Sequence, residues 1–235
     1  MEIFNLLTIV IPCKNEGITV NKTLDLLNYQ NNINNVNVIV CDSSDDNYTK
    51  KLLKDRKYDS FNLTIRGGGL PAIARNSGAK FSKTPYILFM DSDIFLLDEN
   101  LLIDSLNDII NNNYDLITCK FRTTTSEYNY VYKIFDIIQI LIKPITPFAL
   151  GGFMLMNRKK FNELNGFDEK IKIAEDYILS KQIKPSKFKI SNSIIFTTPR
   201  RFKSKGLLYM LKLMIGSFLN RNNKNYFTDD KNYWL

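Results

Sequence analysis

Hydrophobic and polar positions alternate in blocks along the first half of the chain. Leu6-Leu7-Thr8-Ile9-Val10-Ile11 is a near-continuous apolar run stopped by Pro12, the pattern of a strand buried on both faces. Residues 18–30 carry Ile18, Leu24, Leu26 and Leu27 at helical spacing and predict a helix, ended by an Asn-rich turn at 31–35. Val36 to Cys41 is a second β-branched run leading straight into Asp42. A charged helix is predicted over 46–58, and a third strand at Leu63-Thr64-Ile65 followed by Gly67-Gly68-Gly69. Pro71 to Lys80 predicts a helix with proline in its first turn. Tyr86 to Met90 is the fourth strand, ending at Asp91. Strands alternating with helices predict an α/β fold with a mainly parallel central sheet flanked by helices.

The second half is less regular. The pattern predicts a helix over Leu101–Asn111, a strand over Asp115–Phe121, and an apolar helix over Tyr128–Ile142 before Pro144 and Pro147. Phe148–Met156 reads as a strand containing Gly151 and Gly152. Short helices follow at Asn157–Leu164, ended by Asn165-Gly166, and at Glu175–Gln182, then a short strand at Ser193–Thr198. Gly206–Leu219 is an apolar helix flanked by Lys203, Lys205, Arg221 and Lys224, and the Asn-rich, charged tail beyond it predicts a mobile terminus. No apolar stretch reaches the length of a membrane span, but a basic-flanked helix lying on a membrane surface stays open.

Polar clusters at 14–16, 42–46 and 91–93 each stand at the carboxyl end of a predicted strand. Open α/β sheets bind ligands along that edge. Composition narrows the chemistry. The 235 residues hold no His, so neither a His-based nucleophilic triad nor a His-ligated metal is available, and acid–base work falls to carboxylates, Lys, Tyr or Cys. Any metal is then held by oxygen or sulfur, and oxygen ligands point to Mg²⁺, Mn²⁺ or Ca²⁺. Cys13, Cys41 and Cys119 are odd in number and widely spaced, which predicts neither disulfides nor a zinc site and favours a reducing, cytoplasmic compartment. The first residues lack the basic and small-residue features of a signal peptide. The net charge of +8 favours anionic partners.

Five segments carry candidate chemistry, each with a plainer alternative. Asp91-Ser92-Asp93 places alternate carboxylates at a strand end, where both can approach one divalent cation, or it is a turn before Ile94. Asp42 can accept from a base or ribose, while Asp45 or Asp46 fits a helix N-cap. Gly67–Gly69 permits close backbone approach to a ligand or is a flexible loop, and Arg75 follows in the next helix. Glu175-Asp176 opens a helix, as dipole partners or as the source of a general base. Arg200-Arg201 can pair with phosphate oxygens or form a basic surface loop.

In this order the segments resemble family 2 glycosyltransferases. Val10-Ile11-Pro12-Cys13-Lys14-Asn15-Glu16 is similar to the family's opening strand and loop, Asp42–Asp46 to its second acidic segment, and Gly69 through Gly78 with Ala74-Arg75-Asn76-Ser77-Gly78 to its Arg-Asn segment. Phe89-Met90-Asp91-Ser92-Asp93 resembles its DxD. Gly151-Gly152, Gly166-Phe167-Asp168-Glu169 and Glu175-Asp176 resemble its acceptor side. Lys14 stands where many relatives carry an aromatic residue, and the C-terminal His that some relatives place near the metal is absent.

The resemblance implies a GT-A fold over about 1–220, with a nucleotide-binding half to about 98, an acceptor half over about 99–205, an amphipathic helix over 206–219 and a tail over 221–235. It implies a UDP- or GDP-linked sugar donor, Mn²⁺ or Mg²⁺, and inversion at the anomeric carbon. Pro12, Cys13, Asn15 and Glu16 would line the nucleotide pocket, with Asp42 on the base and Arg75 near base and phosphate. Gly69, Ser92, Gly151 and Gly152 would complete the donor site, and Arg200 and Arg201 would help neutralise the diphosphate. Asp91 would contact ribose or metal-bound water, Asp93 would be the main protein ligand to metal, and Asp176, beside Glu175, would be the base. Two rivals remain: a nucleotidyltransferase-like enzyme, disfavoured because no Gly-rich loop with Lys follows the first strand, and a basic binding protein for nucleic acid or anionic membrane. No nucleic-acid partner is expected on the leading reading. The resemblance implies a glycan or a lipid-linked glycan as acceptor. Tyr128–Ile142 and Gly206–Leu219 either form its groove, dock on a membrane, or cover the sheet as core.

Overall fold

Each strand of the first half alternates its apolar side chains between the two faces of the sheet, so helices can cover both. In the computed structural model, which describes residues 5–231 and 233, β1 (Leu7–Cys13) points Leu7, Ile9 and Ile11 to one face and Val10 to the other. β2 (Val36–Asp42) does the same with Val36, Val38 and Val40 against Ile39 and Cys41. β3 (Phe61–Gly67) and β4 (Tyr86–Met90) complete a parallel four-stranded unit. β1 continues through Pro12, which the sequence pattern made its stop. The proline lies past Val10, the last residue paired with β4, so its missing N–H interrupts no ladder on that side.

Helices α1 (Ile18–Asn28), α2 (Asn47–Asp55) and α3 (Pro71–Ala79) connect these strands. The side chain of Asp46 caps α2, accepting from the Thr49 N–H at 2.5 Å. α1 buries Val20, Leu24 and Leu27 on one face of the sheet, and α3 lays Ala72, Ala74 and Gly78 on the other. A two-residue strand, β5 (Ile94–Phe95), follows β4, and α4 (Leu101–Asn111) adds Leu102, Leu106 and Ile109 to the α1 side.

The rest of the sheet is β6 (Leu116–Thr123), β7 (Phe153–Asn157) and β8 (Phe188–Thr197), giving the order β3-β2-β1-β4-β7-β6-β8-β5. β7 runs antiparallel to β4 and β6, while β6 and β8 are parallel. α5 (Asn129–Ile142), α6 (Arg158–Glu163) and α7 (Glu175–Ser180) lie between these strands, and α8 (Arg200–Lys205), α9 (Leu207–Leu219) and α10 (Lys224–Phe227) follow β8.

Several expectations need correction. The strand expected over 148–156 starts only at Phe153, because Gly151 and Gly152 form a turn. The strand expected over 193–198 is longer, beginning at Phe188, because residues 188–190 pair with Leu116–Thr118 despite their mixed polarity. The Arg200-Arg201 segment is helical rather than a loop, with Phe202 buried against Tyr128 and Tyr132. The tail is not loose where it is described: Phe227 is fully buried beside Tyr177, and its carbonyl accepts from the Lys172 N–H. Residues 1–4 of the expected domain and 232, 234 and 235 of the expected tail lie outside the described residues. Among the described residues no helix is long and apolar enough to cross a membrane.

Candidate active site

The carboxyl ends of β1, β2, β3 and β4 open onto one edge, and each contributes a polar loop. After β1, Asn15 takes a left-handed backbone (φ 54°), which asparagine tolerates better than most residues. Its N–H donates to Ser44 Oγ at 2.8 Å, and its Oδ1 accepts from the Asp45 and Asp46 N–H groups at 2.8 and 3.3 Å. The β1 and β2 loops are therefore one hydrogen-bonded unit. The Ser43 N–H donates to the Cys13 carbonyl at 2.9 Å, and Asp42 Oδ1 accepts from the Ser44 N–H at 3.0 Å. In the glycine run, Gly68 is the residue a side chain would exclude: a Cβ there would stand 2.7 Å from the Cys41 carbonyl oxygen. Gly69 accepts from Ser43 Oγ at 3.0 Å. Burial first, then Asp42 and Glu16, push the Cys13 thiol up to about 12, so Cys13 contributes shape and a carbonyl rather than a nucleophile.

The centre of the site is Arg75 on α3. Its side chain is 2% exposed, yet it is a cation. Nη1 donates to Glu175 Oε1, and Nη2 donates to Asp91 Oδ1 at 2.6 Å and more weakly to the Gly151 carbonyl at 3.4 Å. Burial alone would lower the guanidinium pKa, but Asp91, Glu175 and Asp176 together hold it above its ordinary value. One guanidinium thus joins the end of β4 to the start of α7, a hundred residues later in sequence. The neighbouring Asn76 repeats the connection: Oδ1 accepts from the Phe167 N–H at 2.9 Å, and Nδ2 donates to the Phe167 carbonyl at 2.8 Å and to Glu169 at 3.0 Å.

Asp176 lies on the other side of Gly151. Its Oδ2 accepts from the Gly151 N–H at 2.6 Å and its Oδ1 from the Tyr177 N–H at 2.7 Å. Burial, and next Glu175, raise its pKa to about 7, against the lowering pull of Arg75 and these two N–H groups. A carboxylate poised there matches the working range of a general base. Gly151 leaves room for this packing, since a Cβ would meet Arg75 Nη2 at 2.5 Å. Ala174, just before the pair, is left-handed (φ 55°, ψ 35°), which costs a residue with a Cβ about 1–2 kcal/mol. Backbone strain of this kind is held at the residue that aims Glu175 and Asp176.

Asp93 Oδ2 accepts from Thr198 Oγ1 at 3.0 Å and Thr197 Oγ1 at 3.3 Å. Burial, then Asp91 and Glu16, raise its pKa, and Arg201 and Arg200 only partly oppose them. A cation beside Asp93 would offset this burial and the repulsion from Asp91 and Glu16. Among the described residues no group of three or more Cys, Asp or Glu makes an all-protein metal cage. The donor set fits instead a cation held by one or two carboxylates and completed by substrate oxygens. Asp93 and Asp91 would hold it.

Glu16 receives a two-pronged ion pair from Arg200, Nη1 at 2.9 Å and Nη2 at 2.7 Å, which draws α8 over the β1 loop. Arg201 packs its guanidinium over the Tyr233 ring. Ser92 is buried and its carbonyl accepts from Thr23 Oγ1 at 2.8 Å, so it ties the acidic turn to α1. Gly152 packs against Phe121 and Ile94, where a Cβ would stand 2.6 Å from the Phe121 ring. Thr197, Thr198 and Ala174 were not singled out by the sequence. The only sequence signal for the threonines is their place just before Pro199-Arg200-Arg201.

The sheet, parallel over β1–β4 and covered by helices on both faces, has a GT-A type fold. Residues 8–164 match the family model of glycosyl transferase family 2, and the chain belongs to that family. It is 32% identical over 118 residues to the poly(ribitol-phosphate) beta-N-acetylglucosaminyltransferase TarP of Staphylococcus aureus strain N315, which is 48% of this chain and 36% of the relative. It is 22% identical over 179 residues to the 4,4'-diaponeurosporenoate glycosyltransferase of Staphylococcus haemolyticus strain JCSC1435, 74% of this chain and 46% of the relative. The chain thus spans under half the length of the curated relatives it matches. Among solved structures it resembles the mannosyltransferase PcManGT from Pyrobaculum calidifontis in complex with GDP-Man and Mn²⁺, at TM-score 0.71 and 14% identity, covering 97% of this chain and 68% of that one. It also resembles S. aureus TarS in complex with UDP-GlcNAc, at TM-score 0.61 and 16% identity, covering 82% and 58%. At these identities the likeness is one of fold.

Proposed function

We propose that this protein is a divalent-cation-dependent, inverting glycosyltransferase that moves a sugar from a UDP- or GDP-linked donor to an acceptor hydroxyl. The observation that carries the reading is the Arg75 bridge. It fixes a carboxylate of the donor side, Asp91, and the Glu175-Asp176 pair of the acceptor side around one buried cation. The donor half runs to about 98 and the acceptor half over about 99–205, with Arg75 and Asn76 joining them.

The chemistry follows from these positions. The β1 and β2 loops, with Asn15 and Asp42, form the wall for the nucleotide. Asp93 and Asp91 face the diphosphate side. The cation, when bound, offsets charge that builds on the diphosphate as it leaves. Asp176 takes the proton of the acceptor hydroxyl. The freed oxygen bonds the anomeric carbon from the face opposite the diphosphate, the carbon–oxygen bond to the diphosphate breaks, and its electron pair leaves with the phosphate. One such displacement inverts the anomeric centre. Arg200 and Arg201 add positive charge on the same side as Asp93.

A glycan or lipid-linked glycan is the acceptor class proposed, in a cytoplasmic setting that suits three free, buried cysteines. The donor site is tested by calorimetric titration of UDP and GDP, with and without Mn²⁺, on the wild type and Asp93→Ala. The expected result is binding that needs Mn²⁺, names the base, and is lost in the variant. Binding of neither nucleotide, or binding indifferent to both metal and Asp93, overturns the reading.

A further inference from the structure

Helix α5 is turned inside out relative to a water-facing helix. Asp136 and Gln139 point inward with dedicated partners, Asp136 pairing with Arg122 at 2.8 Å and Gln139 Nε2 donating to the Phe148 carbonyl at 2.6 Å, while Lys133 is exposed. Its isoleucines point outward. Ile134, Ile137 and Leu141 are 56%, 58% and 69% exposed, and Ile145 extends the row beyond the helix. In water the reverse arrangement is the ordinary one.

Helix α9 presents a second such face. Leu208, Leu211, Ile215 and Leu219 recur at three- and four-residue spacing and are all exposed. Lys212 lies in the same row, where its stem can rest on apolar surface with the ammonium in water. The two helices belong to one side of the molecule. Phe135 of α5 packs on Phe148, Phe148 packs on Tyr177, and Leu213 of α9 and Phe148 both pack against the buried group around Tyr177 and Phe227. The segment 200–224, which contains α9, has seven Lys and Arg and no Asp or Glu. Arg200, Lys203 and Lys224 pair with Glu16, Glu127 and Asp168 on neighbouring elements, while Lys212 stands exposed in the apolar row and Arg221 and Lys224 crowd Lys181 at its end.

We infer that the α5 and α9 faces together dock on the surface of an anionic lipid bilayer, with the isoleucines and leucines in the acyl boundary and the basic residues among the headgroups. The charge selects the occupant: exposed apolar rows with Lys212 among them and Lys181, Arg221 and Lys224 grouped at one end complement an anionic interface, whereas a second copy of this chain would set like charges against each other. α9 has 13 residues, enough to lie in the interface and too few to cross. The inference rests on surface chemistry alone, so the nucleotide titration above can fail without touching it, and the reverse holds too.

The test is flotation of the protein with vesicles of phosphatidylcholine and of phosphatidylcholine mixed with phosphatidylglycerol. Wild type floats with the mixed vesicles about tenfold or more over pure phosphatidylcholine, and rising salt reverses this. Ile137→Asp with Leu141→Asp, and separately Leu208→Asp with Leu219→Asp, each abolish flotation while keeping the wild-type melting temperature. No flotation with either vesicle, equal flotation with both, or flotation unchanged in the variants overturns the inference. So does a wild-type dimer in sedimentation equilibrium that the variants dissociate and that ignores vesicles, which would assign the face to a second copy.

Discussion

Replacing Arg75 by methionine tests the electrostatic reasoning at its centre. Methionine keeps much of the volume and loses the charge, so the packing term is small and the cost is electrostatic. The guanidinium satisfies Glu175, itself 9% exposed, and Asp91, and it lies close to Asp176. Removing one partner of a buried pair costs about 3–5 kcal/mol, because the other partner stays buried and charged. Asp91 is 35% exposed and regains water, which points to the lower end, about 3 kcal/mol. In a chain of this length that lowers Tm by about 6–12 °C. The cost depends on pH. Burial and Glu175 already raise Asp176 above its unfolded value, and without Arg75 only two backbone N–H groups oppose them, so the folded variant binds more protons than the unfolded chain from roughly pH 4 upward. Its stability therefore falls as pH rises through that window. The deficit against wild type is largest near pH 8 and shrinks toward pH 5. Urea unfolding followed by circular dichroism at both pH values reads this directly. A deficit under about 1 kcal/mol at pH 8, or one independent of pH, refutes the account of Arg75 as the counter-ion of the cluster.

Two further outcomes follow. Asp176→Asn lowers kcat about 10²- to 10⁴-fold with donor binding by calorimetry preserved. In the wild type the base must be deprotonated, so kcat rises with pH to a plateau with a midpoint near 7, the value set by burial and Glu175. A pH-independent kcat or an active Asn variant removes Asp176 from the role. Gly78→Ala destabilises despite the better helix propensity of alanine. Its Cβ would stand 2.3 Å from Val10 Cγ1 and 3.1 Å from Cys41 Sγ, forcing α3 off the sheet at a cost of about 1–3 kcal/mol. Thermal melts check it, and an unchanged Tm would show that the contact relaxes freely.

β1, β2 and β4 were legible in the sequence because they are near-continuous apolar runs, whereas β3 alternates Phe61, Leu63 and Ile65 with polar residues and extends beyond the expected 63–65. Tyr86–Met90 and Leu101–Asn111 match the observed bounds residue for residue. The second half was harder to read where tertiary pairing overrides local pattern. Residues 188–190 are strand only because β6 lies beside them, and Gly151-Gly152 is a turn because Arg75, Asp176 and Phe121 crowd it. The acidic residues of the site were visible as strand-end clusters. Their interconnection was not. Nothing local in Arg75-Asn76 foretells partners at 167, 169 and 175, or that Thr197 and Thr198 hold Asp93. The burial of Asp136 and the exposure of its isoleucine neighbours were likewise invisible, since the apolar count of α5 is the same whichever side faces the sheet.

The side chains of Arg75 and Asn76 also constrain how the chain folds. Both sit on α3, within the parallel unit that sequence alone would take for a self-sufficient nucleotide-binding module. Their partners Glu175, Phe167 and Glu169 are 91 to 100 residues downstream. A fragment ending near residue 98 would leave Arg75 with Asp91 but without Glu175, Gly151 and the Phe167 ring that cover it, and an Asn76 amide without the Phe167 backbone it grips. The two halves are therefore expected to melt as one cooperative unit, with amide protection around α3 and α7 lost together in hydrogen exchange.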